Sequence, residues 1–287
     1  MREANFGGLR VLALESRRAK EVATLIRTCG GVPTVVPVMR EIPLESNDEA
    51  FCFATGLIAG DFDLVLFLTG AGARILFNAI ETRFPREGIV AALRKTRVAV
   101  RGPKPVAVLR EFGVNADIIS QGPSTWREVL IALDSAYPQS LRGVRIAVQE
   151  YGAVNAPLLD GLEQRGALVT RVPVYQWALP EDLSEVRVTI AALLRGEFDV
   201  LLFLTGIQAL HLMQVAESMN QRQALLQSLK QLVVVSIGPS TAEELLRQGI
   251  SADFQPSQPK MGILVAETSR VAPSLIEGKR RARFTVE

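Results

Sequence analysis

Histidine is almost missing from this chain: His211 stands alone among 287 residues. Cysteine is nearly as scarce, with only Cys29 and Cys52. One imidazole without cysteine or histidine neighbours makes a poor metal site, so no metal is expected. His211 falls on a helical pattern and reads as a plain helix residue. The two cysteines sit in apolar-periodic segments without metal-ligand spacing. They are expected to be reduced core or near-core thiols. Long hydrophobic runs are missing too. None approaches the roughly 20 residues that cross a bilayer. The opening MREANFGGLR has no apolar segment of signal-sequence length. A cytoplasmic protein without a membrane partner is expected. Charge of one sign is also lacking: 32 Lys and Arg stand against 30 Asp and Glu, a net +2. That balance argues against a nucleic-acid partner. The basic run GKRRAR at 278–283 reads as a solvated tail.

What remains is an ordinary globular composition, 48% hydrophobic and 22% charged. The length allows two domains. Its main feature is a duplication. GDFDLVLFLTGAGA at 60–73 returns as GEFDVLLFLTGIQA at 196–209. An offset of 136 also carries CGGVPTVVPV (29–38) to RGALVTRVPV (165–174), RGPKPVAVLREFGV (101–114) to IGPSTAEELLRQGI (237–250), and ADII (116–119) to ADFQ (252–255). A period this long indicates two domain-sized units, not a solenoid.

Each half has the same order. LRVLALE and VRIAVQE are short apolar runs suited to buried strands. Helices follow, marked by Val22, Leu25 and Ile26 in one half and by Leu158, Leu159 and Leu162 in the other, and ended by Gly30 and Gly166. Next come PTVVPV and LVTRVPV, then LVLFLT and VLLFLT, then RVAVRG and LVVVSIG, with short strands expected at ADII and ADFQ. Strands alternating with helices predict α/β domains with parallel sheets covered on both faces.

In such sheets, ligands bind beyond the carboxyl ends of the strands. The Thr69-Gly70-Ala71 and Thr205-Gly206 corners are such ends. Glycine lets the chain turn sharply there, and threonine sets a hydroxyl beside first-turn amides that hold anions. Gly102 with Lys104, and Gly238 with Ser240 and Thr241, form the second pair of corners. Helix capping alone is the competing reading for every hydroxyl among them. Arg17, Arg101 and Lys104 are the cations nearby, with solubilising surface charge as the alternative. Glu15 and Glu150 are repeat equivalents at strand ends. They are expected as solvated charges, with an acid–base pair as the alternative. GAG at 70–72 lacks the third glycine of a dinucleotide fingerprint. The Pro-bounded connectors VPVMREIPLE (36–45) and VPVYQWALPE (172–181) invite a chain that runs from one domain to the other and back. Two domains in series fit the periodicity equally well.

With these segments in order, above all VPVYQW and SIGPSTAEELLRQGISADFQPSQP, the chain resembles the uroporphyrinogen-III synthase family over about residues 9–268. The resemblance implies two similar α/β domains joined by a two-stranded connector, with the chain interleaved. One domain would combine 1–38 with 176–270, the other would be 41–173, and 271–287 would form a basic tail. It further implies a cleft active site, no cofactor, a monomer, and a linear tetrapyrrole substrate, hydroxymethylbilane, closed into a ring with one pyrrole inverted. Tyr175 matches the family's connector tyrosine, thought to help the terminal hydroxyl leave. Thr241 matches its threonine at a helix start. The chain departs from the family at LESRR (14–18), where Thr-Arg-Pro is usual, and at Pro105, the repeat counterpart of Thr241. Those departures support a second expectation: an inactive member of the same fold that binds or senses a tetrapyrrole or other anionic ligand. A two-lobed solute-binding receptor is a third and weaker option.

Overall fold

The computed structural model describes residues 4–44, 46–150, 152 and 154–284. The chain divides into two compact units. Unit 1 combines residues 1–40 with 178–287, and unit 2 is 41–177. The chain is therefore interleaved, leaving unit 1 after Arg40 and re-entering at Ala178.

Unit 1 opens with β1 (Arg10–Ala13), α1 (Ala19–Thr28) and β2 (Val32–Val35). The chain then forms β3 (Arg40–Pro43), α2 (Asp48–Ala59), β4 (Leu64–Phe67), α3 (Gly70–Ile80) and α4 (Arg86–Leu93). Next come β5 (Arg97–Val100), α5 (Pro103–Glu111), β6 (Ile118–Ile119) and α6 (Trp126–Ala136). Unit 2 closes with β7 (Arg145–Gln149), α7 (Ala156–Gln164), β8 (Leu168–Val172) and β9 (Tyr175–Ala178), the last pairing with β3. The return to unit 1 adds α8 (Ser184–Leu194), β10 (Val200–Phe203), α9 (Gly206–Ser218) and α10 (Arg222–Leu229). It ends with β11 (Val233–Ser236), α11 (Pro239–Arg247) and α12 (Met261–Phe284).

Both large sheets are parallel. Their orders are β11-β10-β1-β2 in unit 1 and β6-β5-β4-β7-β8 in unit 2. The central strands explain why their sequences are apolar throughout. In β4, Val65 and Phe67 join the core under α2, α3 and α5, while Leu64 and Leu66 join the core under α6 and α7. Their counterparts in β10 divide the same way: Leu201 and Phe203 to one face, Val200 and Leu202 to the other. Alternate residues point to opposite faces of a strand, so a strand covered on both sides has no polar side.

The duplication carries its electrostatics with it. Arg10 and Arg145 open β1 and β7, and each pairs with an aspartate at the start of the next strand in the sheet. Arg10 Nε lies 3.0 Å from Asp199 Oδ2, and Arg145 Nη2 lies 2.8 Å from Asp63 Oδ1. Each arginine also donates to a glycine carbonyl, Gly196 or Gly60. Asp117 and Asp253 repeat a third device, each accepting the amide of Val98 or Val234.

Some expectations change. The offset is 135, not 136, at the first strand: Val11 pairs with Val200 as Ile146 pairs with Leu64. One extra residue separates Glu150 from Gly166 relative to Glu15 and Gly30. ADFQ forms only an isolated bridge, Val235 to Phe254, where ADII forms β6. Cys52 is exposed, because Phe53 and Ala54 take the buried side of α2; Cys29 is half-buried. The basic run near the end is not a solvated tail. It belongs to α12, where Lys279 pairs with Asp253 at 2.8 Å and Arg280 with Asp199 at 2.9 Å. Residues 285–287, the end of the expected tail, lie outside the described residues. No helix among the described residues is long and apolar enough to cross a membrane.

Candidate functional site

The sequence-identified residues fall into two groups at the carboxyl ends of paired strands. Thr69, Gly70, Ala71, Gly102 and Lys104 follow the neighbours β4 and β5 in unit 2. Thr205, Gly206, Gly238, Ser240 and Thr241 follow β10 and β11 in unit 1.

Thr69 is the N-cap of α3, with extended backbone and its hydroxyl accepting the Gly72 amide at 3.0 Å. Gly70 and Gly206 are not turning glycines. Each is the first residue of a helix, and neither has a left-handed backbone. A Cβ on Gly70 would lie 2.8 Å from the Lys104 carbonyl oxygen, and one on Gly206 2.7 Å from Glu244 Cβ. Their smallness lets α3 approach α5, and α9 approach α11. That packing sets adjacent helix starts side by side.

Each sheet reverses its winding between its central strands, at β4/β7 and at β1/β10. This switch point is where a doubly wound sheet opens a crevice for ligand. Here a glutamine side chain bonds across the strand ends in both units. In unit 2, Gln149 at the end of β7 accepts the Thr69 amide at 3.4 Å and donates to the Glu150 carbonyl. In unit 1, Gln208 on α9 accepts the amides of Leu204 (2.8 Å) and Thr205 (3.3 Å) and donates to Leu14 O at 2.8 Å. The two glutamines are not repeat equivalents. Gln149 corresponds to Leu14 by strand register, and Gln208 corresponds to Gly72. A Cβ on Gly72 would fall 2.1 Å from Gln149 Nε2. The two solutions therefore exclude one another within a unit.

That exclusion is testable. Gly72→Ala should displace the carboxamide and cost about 2 kcal/mol, the scale of a buried polar group losing its partners. Gly72→Gln combined with Gln149→Leu rebuilds the unit 1 arrangement and should recover most of the loss. Urea midpoints of the singles and the double give the coupling. Additive losses would show that the two positions do not share one space.

The glutamine latches occupy the inner corners, and the two outer corners differ from each other. At β11–α11, Gly238 precedes Pro239 in the first turn. The amides of Thr241 and Ala242 both bond to Gly238 O, at 3.1 and 3.0 Å. Thr241 is buried and Ser240 exposed. At β5–α5, Pro103 and Pro105 occupy the first turn, so two amides that a helix start would offer do not exist. The exposed Lys104 ammonium is what this corner adds. Arg101 Nε donates to Leu68 O at 3.1 Å, so that guanidinium ties one corner to the next.

Glu15 and Glu150 are buried rather than solvated. Glu15 Oε1 accepts the amides of Arg17 (3.0 Å) and Arg18 (3.1 Å) at the entry to α1. It takes the place an external anion would occupy there. Glu150 forms a two-pronged pair with Arg171, both bonds 2.9 Å. These partners bring both charges into the fold. Tyr175, on β9, is buried in the unit 2 core, its ring edge-on to Trp177 at 5.5 Å. His211 is buried on α9, with Nδ1 2.9 Å from Val38 O. Burial lowers its pKa, against the opposing effect of that hydrogen bond. A carbonyl only accepts, so Nδ1 carries the proton, which suits a structural residue.

Gln149, Gln208 and Ser236 were not singled out by sequence reasoning. The Ser236 hydroxyl is fully buried without a partner two residues before Gly238. A signal was present for Ser236: its counterpart is Val100, so one copy alone carries a hydroxyl in an apolar strand. No group of side chains able to hold a metal ion occurs among the described residues.

Two duplicated units, each built on a parallel sheet, define a class of two-domain α/β proteins. The family model described as uroporphyrinogen-III synthase HemD matches residues 20–266. The chain belongs to the uroporphyrinogen-III synthase family. A Methanothermobacter thermautotrophicus protein described provisionally as a uroporphyrinogen-III synthase is 31% identical over 237 residues, 82% of this chain and 87% of that one. The Bacillus subtilis (strain 168) protein YjjA, to which no function is assigned, is 27% identical over 266 residues, 92% of this chain and 96% of that one. Among solved structures, a mutant uroporphyrinogen III synthase from the extremely thermophilic bacterium Thermus thermophilus superposes with a TM-score of 0.72 at 25% identity, covering 93% of this chain and all of that one (100%). The Helicobacter pylori enzyme shares the fold, with a TM-score of 0.51 at 15% identity and 93% and 99% coverage.

Proposed function

We propose that this chain is a cyclising lyase that closes hydroxymethylbilane into uroporphyrinogen III, acting as a monomer without a cofactor. The β11–α11 corner, with Gly238, Ser240 and Thr241, carries the reading, within a family match that runs through both units. The substrate bears eight carboxylates on four pyrroles. It suits corners that offer amides and hydroxyls with few fixed charges. Thr69, Gly70 and Ala71, Thr205 and Gly206, and Gly102 with Lys104 complete the set that would grip it.

In the reaction, an acid protonates the terminal hydroxyl, which leaves as water. The far pyrrole attacks the resulting electrophilic methylene through its substituted carbon, giving a spiro intermediate. That intermediate breaks one ring bond and recloses with the pyrrole inverted. The protein's main task is to hold the two ends together in one orientation. Tyr175 is the proposed acid. A phenol is a weak one, so Tyr175→Phe should lower kcat by less than the roughly hundredfold expected of a well-matched acid. An unchanged rate would remove Tyr175 from the mechanism while leaving the reaction standing.

A second reading has specific support. Two strand-end corners have lost their open donors, one to Pro103 and Pro105, the other to the Glu15 carboxylate. This pattern suits a member that binds an anionic tetrapyrrole without turning it over. Freshly generated hydroxymethylbilane separates the two. Type III product supports the lyase; only the spontaneous type I product supports the binder.

A further inference from the structure

Unit 2 has a cavity at the opposite end of its sheet from the donor corners. Its volume is about 590 Å³, and its walls come from α2, α4 and the amino ends of β4, β5 and β7. The strands put roughly 13 Å between it and Thr69. Leu57, Ile58, Phe62 and Tyr137 supply an apolar and aromatic lining, and Asp63, Lys95, Arg97 and Arg145 the charges.

The duplication provides an internal comparison. α4 presents Gly88, Ala91 and Ala92 to the cavity, at the spacing of one helix face. Their counterparts on α10 are Ala224, Gln227 and Ser228. Ser228 Oγ donates to Leu193 O and so ties α10 to α8. Unit 2 has lost that tie and gained space. It has also gained charge at the rim: Lys95 and Arg97 replace Gln231 and Val233. Arg145 is neutralised by Asp63 through two hydrogen bonds, at 3.1 and 2.8 Å. That leaves Lys95 and Arg97 to set the sign of the site. Arg97 lies over the Tyr137 ring, its guanidinium carbon 4.6 Å from the ring centre, with one nitrogen 3.4 Å from Ala136 O. Stacking holds the planar fork in a fixed orientation, which suits a phosphate or carboxylate. A cavity of this volume is in the range of small-molecule sites.

We propose that this cavity is a second ligand site, separate from the strand-end corners, which takes a small organic anion: an aromatic body carrying a phosphate or carboxylate group. Lys95 and Arg97 hold the anionic group, and the aromatic body lies against Tyr137 and the small face of α4. The site is independent of the lyase reading.

Phenyl phosphate, benzoate and uncharged phenol are the probes, titrated into the full chain and followed by backbone amide chemical shifts. The expected result is saturable shifts at Ala91, Ala92, Lys95 and Thr96 with phenyl phosphate or benzoate but not with phenol. The better of the two anions identifies the headgroup. Lys95→Gln with Arg97→Val installs the unit 1 residues and should weaken binding about tenfold or more, the scale of lost charge-assisted hydrogen bonds. Ala91→Gln should fill the cavity and do the same with its charges intact. The turnover of hydroxymethylbilane, whatever it is, should be unchanged in these variants. Shifts confined to the Gly70 or Gly238 corners, undiminished affinity in both variants, or no shifts at about 10 mM probe, an affinity too weak to be specific, would overturn the proposal.

Discussion

Asp199→Ala should destabilise the protein by about 2 kcal/mol, the scale of losing hydrogen bonds to a buried charged group, whereas Asp63→Ala should cost less than half as much. The two residues hold the same place in the duplicated fold. Each accepts the main-chain and side-chain bonds of an arginine that opens the next strand. They differ in burial. The Asp199 side chain is 7% exposed and has a second cation, Arg280, at 2.9 Å, while Asp63 is 44% exposed with Arg145 alone. Arg10 and Arg145 are about equally exposed, so the difference lies in the carboxylates, and solvent screens the second pair more than the first. Removing Asp199 also leaves two guanidinium groups facing each other without their shared anion.

The pH dependence follows from the same geometry. Burial alone would raise the Asp199 pKa, but the bonds from Arg10 and the charges of Arg10 and Arg280 outweigh it and hold the carboxyl below its ordinary value. The unfolded chain therefore takes up this proton first as pH falls. The stabilisation is complete above about pH 4, the unfolded value, and is lost as pH falls through the folded one. Urea unfolding of wild type and Asp199→Ala at pH 7 and at pH 3 should show the gap narrow at the lower pH. A gap that stayed constant would mean that the carboxylate charge is not what stabilises this corner.

Gly152→Ala should be at least as damaging, by about 3 kcal/mol or more, through backbone strain and overlap together. Gly152 has φ +67, and its added Cβ would lie 1.9 Å from Trp177 Nε1 and 2.0 Å from Cδ1. The indole lies flush on this glycine because Gly152 bridges Gln176, and the Trp177 amide donates to Gly152 O at 3.2 Å. The indole can clear the new methyl only by turning about its side-chain torsions, out of its edge-on contact with Tyr175. Trp177 also sets the edge-on neighbour of Tyr175, so the variant should disturb the proposed acid. In a Trp126→Phe background, Trp177 is the one remaining indole. The expected readout is a red-shifted emission with a lowered urea midpoint. Unchanged emission and midpoint would mean the chain swings the ring aside at no cost.

The architecture was legible because its signals are local and repeated. A short apolar run such as LVLFLT, followed by glycine, reads as a strand buried on two faces, and its recurrence at a near-constant offset implies a second sheet built alike. The helix ends at Gly30 and Gly166 and the corners at Thr69, Thr205 and Gly238 follow from the same local chemistry. Interleaving was not decided by periodicity, since two units in series have the same pattern. It required knowing that β1 pairs with β10 and β4 with β7.

The parts of the site that escaped the sequence depend on distances between residues far apart in the chain. Gly70 reads as a turn in isolation, and only the approach of Lys104 shows it to be a packing residue. Glu15 and Glu150 read as solvated charges because burial is a property of neighbours. Gln149 and Gln208 do one job from non-equivalent positions, so alignment of the halves hides them. What the amino-acid order determined alone was the two-unit parallel α/β plan, because strand burial and helix ending are set within a few residues. What the tertiary structure decided was which strand-end amides remain open to a ligand. That depends on which distant side chain, glutamine, glutamate or proline, reaches each corner first.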